Sequence, residues 1–124
     1  MPALAEVGAV LRQPGGHPVL VLTDYPASPA DLVIFVNFTD SKLGSVLFSA
    51  GYVLSGGFTF TKDSTVFMEI REVTRAQADF IVSRCSHCGF AGQEDVKAVR
   101  KYVAVNIAKI SSSRIRALIE ALGW

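Results

Sequence analysis

The sequence predicts an α+β fold, a small twisted β-barrel with C-terminal helices packed on it, from three observations. Short apolar runs broken by glycine and proline turns fill the chain up to Ile70, as a sheet of short strands requires. Thr74-Arg75-Ala76-Gln77 then has the form of a capping box, in which a hydroxyl and an amide side chain satisfy backbone donors at a helix start. Further on, Ile115, Leu118, Ile119 and Leu122 recur at the spacing that puts them on one helical face. No linker, internal repeat or low-complexity tract intervenes, which predicts one domain over residues 1–124, β-rich over 6–72 and helical over 74–122.

Taken in order, residues 7–11 read as a first strand, stopped by Pro14-Gly15-Gly16, and residues 17–23 as the returning strand of a hairpin. Residues 24–31 contain Pro26 and Pro29 and read as a loop. Leu32-Val33-Ile34-Phe35-Val36-Asn37-Phe38 is the most hydrophobic run, apolar on both faces, which predicts a central strand. Val46-Leu47-Phe48, Tyr52-Val53-Leu54 and Phe58-Thr59-Phe60 read as short strands around Gly51 and Gly56-Gly57, and residues 65–70 as the last strand. The capping box predicts a helix from Arg75 to about Arg84. Residues 93–107 carry two periods: Val96, Val99 and Val103 suit a helix face, while Val103, Val105 and Ile107 alternate as in a strand. A helix is the expectation. Ser111, Ser112 and Ser113 offer N-caps for the final helix, and Gly123 its stop.

Half the residues are apolar, 19% are charged and the formal charge is +1, which excludes the disordered and supercharged classes and any global attraction to nucleic acid. The cations Arg71, Arg75, Arg84, Lys97, Arg100, Lys101, Lys109, Arg114 and Arg116 fall late in the chain and read as solvated helix faces, with a local basic face as the alternative. No apolar run approaches the roughly 18 residues that cross a bilayer. The N-terminus has no basic region and carries Glu6 in its apolar stretch, so a secretory signal is not expected and a cytoplasmic location is.

Cys85-Ser86-His87-Cys88 is the most conspicuous local cluster, since two thiolates so spaced can chelate a metal or close a reversible disulfide. With two cysteines and two histidines in the chain it supplies half a zinc site, and it follows a helix instead of opening one, so the expectation is a pair of loop cysteines and no metal or other cofactor. Phosphate-loop and nucleophile-elbow patterns are absent from the sequence. More polar chemistry gathers at strand ends. Asn37, Thr39, Asp40 and Ser41 finish the central strand, and Lys62, Asp63 and Ser64 precede the last one. If the sheet curls, both groups converge with His17 on one rim; otherwise they are turn formers bonding their own backbone.

The run His17-Pro18-Val19-Leu20-Val21-Leu22, a loop, and Val33-Ile34-Phe35-Val36-Asn37-Phe38-Thr39-Asp40-Ser41 resembles the core of the PemK/MazF toxin family over roughly residues 6–72. The resemblance implies an SH3-like barrel, commonly dimeric, that cuts single-stranded RNA without metal through a 2′,3′-cyclic phosphate when released from an antitoxin. Carried over residue by residue, Thr39 matches the threonine that holds the scissile phosphate, and His17 stands where the family has a catalytic arginine. Arginine stabilises a phosphorane by permanent charge, whereas histidine can serve as base on a ribose 2′-hydroxyl. The family's later aspartate is unmatched, Met68 standing nearest and Glu69 beside it. The expected site is therefore His17 and Thr39 as catalytic residues, with Asn37, Asp40, Ser41, Lys62 and Ser64 contacting substrate. Stacking aromatics would come from Tyr25, Phe38, Tyr52 or Phe58. The expected partners are single-stranded RNA, an antitoxin protein and a second copy of the chain. The competing expectation is a non-catalytic RNA- or protein-binding module that keeps the barrel.

Overall fold

The computed structural model describes residues 7–15, 18–23, 32–39, 46–56 and 58–124. Its centre is a curled, antiparallel, six-stranded half-barrel sheet. The strands are β1 (Ala9–Arg12), β2 (Pro18–Val21), β3 (Leu32–Thr39), β4 (Leu47–Phe48), β5 (Ser64–Thr74) and β6 (Ser86–Phe90), in the spatial order β4-β5-β3-β2-β1-β6. The helices are α1 (Arg75–Arg84), α2 (Gln93–Val105) and α3 (Ser113–Leu122), with a 3₁₀ turn at Ile107–Lys109.

The first hairpin forms as expected, with Val10 opposite Leu20 and Arg12 opposite Pro18. Central placement of β3 follows from its composition, because a strand apolar on both faces needs neighbours on both sides and cover above and below. It pairs with β2 and β5. Leu20, Leu22, Ile34, Val36 and Phe38 join one core with Val96, Val99 and Val103 of α2 and Ile115, Leu118 and Ile119 of α3. Val19, Val21 and Phe35 alternate to the other face and are buried too. Thr23 extends the β2–β3 pairing beyond the strand, its buried hydroxyl accepting from the Ile34 N–H at 2.9 Å. Between Val36 and Asn37 the β3–β5 register shifts, which adds bend where the sheet must curl.

Residues 93–107 resolve in favour of the helix: Val96, Val99 and Val103 are buried while Val105 is 74% exposed. The Ser112 hydroxyl caps α3 by accepting from the Ile115 N–H, and Gly123 ends it. Among the described residues, no helix is long and apolar enough to cross a membrane.

Two expectations are corrected. Cys85-Ser86-His87-Cys88 is not an interhelical loop: the chain returns to the sheet there, and β6 pairs with β1 on an irregular register. The helical part is thus interrupted by a strand. Its short polar sequence lacks the alternation that marks strands, because its pairing is fixed by tertiary contacts. Residues 52–54 and 58–60 form a hairpin with a single bridge, Val53 to Thr59, instead of full strands. That hairpin is tied to the outer edge of β6 by Ser55 and Phe90, which exchange backbone bonds of 2.9 and 2.8 Å, and by the Phe58 N–H donating to the Cys88 carbonyl at 3.3 Å.

The hairpin is also tied to α2. The Tyr52 hydroxyl donates to Asp95 Oδ2 at 2.5 Å and accepts from the Gly92 N–H at 2.8 Å, serving a helix start that has no side-chain cap of its own. Burial and the bond to Asp95 push the Tyr52 phenol above its ordinary value of 10.0. The folded state therefore holds this proton more tightly than the unfolded chain. Its contribution is complete below the unfolded value and is lost as pH rises through the folded one. Urea titrations between pH 8 and 11, a window set around the ordinary phenol value of about 10, should show a steeper alkaline loss of stability in the wild type than in Tyr52→Phe. Identical slopes would show that this phenol is not coupled to folding.

Candidate functional site

One end of the sheet gathers the close of β1, the start of β2, the close of β3 and the start of β5, because antiparallel pairing brings alternate strand ends to the same rim. A cleft of about 500 Å³ opens there. Val10, Leu54, Phe60 and Cys88 give it apolar walls, while Arg12, Lys62, Thr39, Thr59, Thr61 and Ser64 contribute polar groups. Among the described residues, no carboxylate lines it. Asp63, between the lining residues Lys62 and Ser64, is engaged elsewhere, its Oδ1 accepting from the Ala50 N–H at 2.8 Å. Ser64 donates to the Lys62 carbonyl at 3.3 Å, a local turn bond that holds the backbone bearing Lys62.

Of the residues expected from sequence, Thr39, Lys62 and Ser64 come together in this cleft. Asn37 lies outside its lining, half-buried at the register shift of β3 and paired with Val19 and Phe67. His17, Asp40 and Ser41 lie outside the described residues, as does Tyr25. Pro18, the residue after His17, lines the cleft. Among the aromatic candidates, Phe38 is buried in edge-on contact with Phe48 and Phe60, and the Tyr52 ring packs on Phe48. Phe58 is 56% exposed in the cleft wall.

Sequence reasoning missed Arg12. The signal was present: it ends the first strand beside a short turn, so hairpin pairing sets it opposite Pro18 and near the polar strand ends. It also missed Cys88 as a wall residue. Burial pushes the Cys88 thiol up, with Arg12 opposing, and pushes Cys85 up as well, with Cys88 adding to the rise. Neither thiol is thereby activated as a nucleophile. His87 is exposed on β6, its Nδ1 accepting from the Gly89 N–H at 3.2 Å and its ring against Phe90. Among the described residues, no group of three or more His, Cys, Asp or Glu side chains is placed to hold a metal ion.

No protein-family model, curated protein or solved structure matches the chain.

Proposed function

We propose that this chain is a toxin-like, metal-independent endoribonuclease on an SH3-like barrel, cleaving single-stranded RNA through a 2′,3′-cyclic phosphate. One observation carries the reading: the cleft collects Arg12, Lys62 and four hydroxyl-bearing residues, with no carboxylate among its described lining residues. Such a wall accepts a polyanion, with cations neutralising phosphates and hydroxyls fixing their position. Phe58 offers an exposed ring on which a base can stack, which a single strand presents and a duplex does not. The curled sheet, with its edge hairpin bonded to β6, supports the barrel assignment.

In the proposed step O2′ attacks phosphorus as the P–O5′ bond breaks. The O2′ proton passes to His17, and the leaving O5′ takes a proton from water. Thr39 positions the phosphate. An antitoxin protein restrains the enzyme in the cytoplasm, and a second copy covers Leu47, which is 54% exposed on the short edge strand β4.

The test is incubation of purified protein with a mixed-sequence single-stranded RNA in EDTA. Cleavage that Thr39→Val slows about tenfold to a hundredfold is the expected result. RNA that is bound yet left intact would replace this reading with that of a binding module.

A further inference from the structure

We infer that Arg12 is the cation that binds the scissile phosphate in this cleft, an assignment that rests on the RNA-cleaving reading above. Arg12 is the last residue of β1, and its Cα partners are Pro18 on β2 and Ser86 on β6. Strand pairing thus sets it across from the residue that follows His17. Val10 and Leu11, before it, are buried, whereas the Arg12 side chain is exposed and lines the cleft with Thr39 and Lys62. No carboxylate among the described residues pairs with it.

The chemistry calls for such a group. An imidazole that is to take the O2′ proton must begin neutral, so it cannot also present positive charge to the phosphate at that moment. As O2′ bonds to phosphorus, negative charge builds on the non-bridging oxygens, and a fixed cation aimed at them lowers the barrier. A guanidinium suits this role because it stays charged and offers two parallel N–H donors to two oxygens. Lys62 reaches the cleft from the turn before β5 and brings a single mobile point charge. That suits a flanking phosphate. The two cations therefore divide the work: Arg12 acts on the reacting phosphorus and Lys62 on the strand beside it.

The experiment compares wild type, Arg12→Gln, Arg12→Lys and Lys62→Gln. Single-turnover cleavage is measured on one RNA in EDTA, and binding on the same RNA fully 2′-O-methylated so that it cannot be cut. Arg12→Gln should lower the cleavage rate roughly a hundredfold or more, with affinity changed less than about tenfold and the rising limb of the pH profile kept. Arg12→Lys should recover part of the rate. Lys62→Gln should act mainly on affinity and reduce the salt dependence of binding by about one counterion. Arg12→Gln cleaving within about threefold of wild type, or losing only affinity, would overturn the assignment and leave the ribonuclease reading standing. Wild-type protein that binds the RNA without cutting it would overturn both.

Discussion

Gly89→Ala should produce a protein that melts on the order of 10–20 °C lower than wild type. Gly89 lies in β6 with φ +126°, and a Cβ built on it would stand 2.6 Å from the Ser55 carbonyl oxygen and 2.9 Å from Leu54 Cβ. Ser55 cannot simply withdraw, because its carbonyl accepts from the Phe90 N–H at 2.8 Å and its own N–H donates to Phe90 at 2.9 Å. Relief therefore means breaking the bonds that fasten the 52–60 hairpin to the sheet edge, or distorting β6. Backbone strain and overpacking together should cost roughly 2–6 kcal/mol. That is a large share of a total stability that is itself only about 5–15 kcal/mol. Gly51→Ala is the matched control: its φ is +91° but nothing lies within 4 Å of the added Cβ, so strain alone acts. Thermal unfolding of both variants checks the account. Equal losses would mean that the close approach of β6 to Ser55 contributes nothing.

His17→Ala should remove roughly a hundredfold or more of the proposed cleavage rate while leaving RNA affinity nearly intact, since one acid–base group is typically worth that much. The proposed base acts only in the transition state, where O2′ gives up its proton, so its loss belongs in the rate and not in binding. The wild-type rate should rise with pH as the base loses its proton, and His17→Ala should abolish that limb. Thr39→Val differs in kind, because a lost hydroxyl misplaces the phosphate without altering the pH profile. A His17→Ala variant with an unchanged rate and profile would remove His17 from the reaction and assign the base elsewhere.

Elements whose side chains decide their own placement were legible in the sequence. The β1–β2 hairpin follows from its turn, β3 from its two apolar faces, and α3 from its stripe and from Ser112. β6 was not legible, since Ser86, His87 and Gly89 carry no alternation and pair only because β1 presents an open edge and Gly89 admits the hairpin. The same division runs through the site. Thr39, Lys62 and Ser64 advertise themselves as polar groups at strand ends, and a curled sheet brings them to one cleft. Arg12 resembles any charged residue closing a strand. Its proposed role comes from pairing with Pro18 and from a wall with no carboxylate among its described residues, and both are properties of the assembled rim.

The most direct measurement is the chemistry of the RNA ends, read by mass spectrometry of fragments from an EDTA-treated reaction alongside His17→Ala and Arg12→Gln. Upstream fragments ending in a 2′,3′-cyclic phosphate and downstream fragments beginning with a 5′-hydroxyl, both strongly diminished in the two variants, are the predicted result. Fragments with 3′-hydroxyl and 5′-phosphate ends, or cleavage that starts only on addition of a divalent metal, would contradict it.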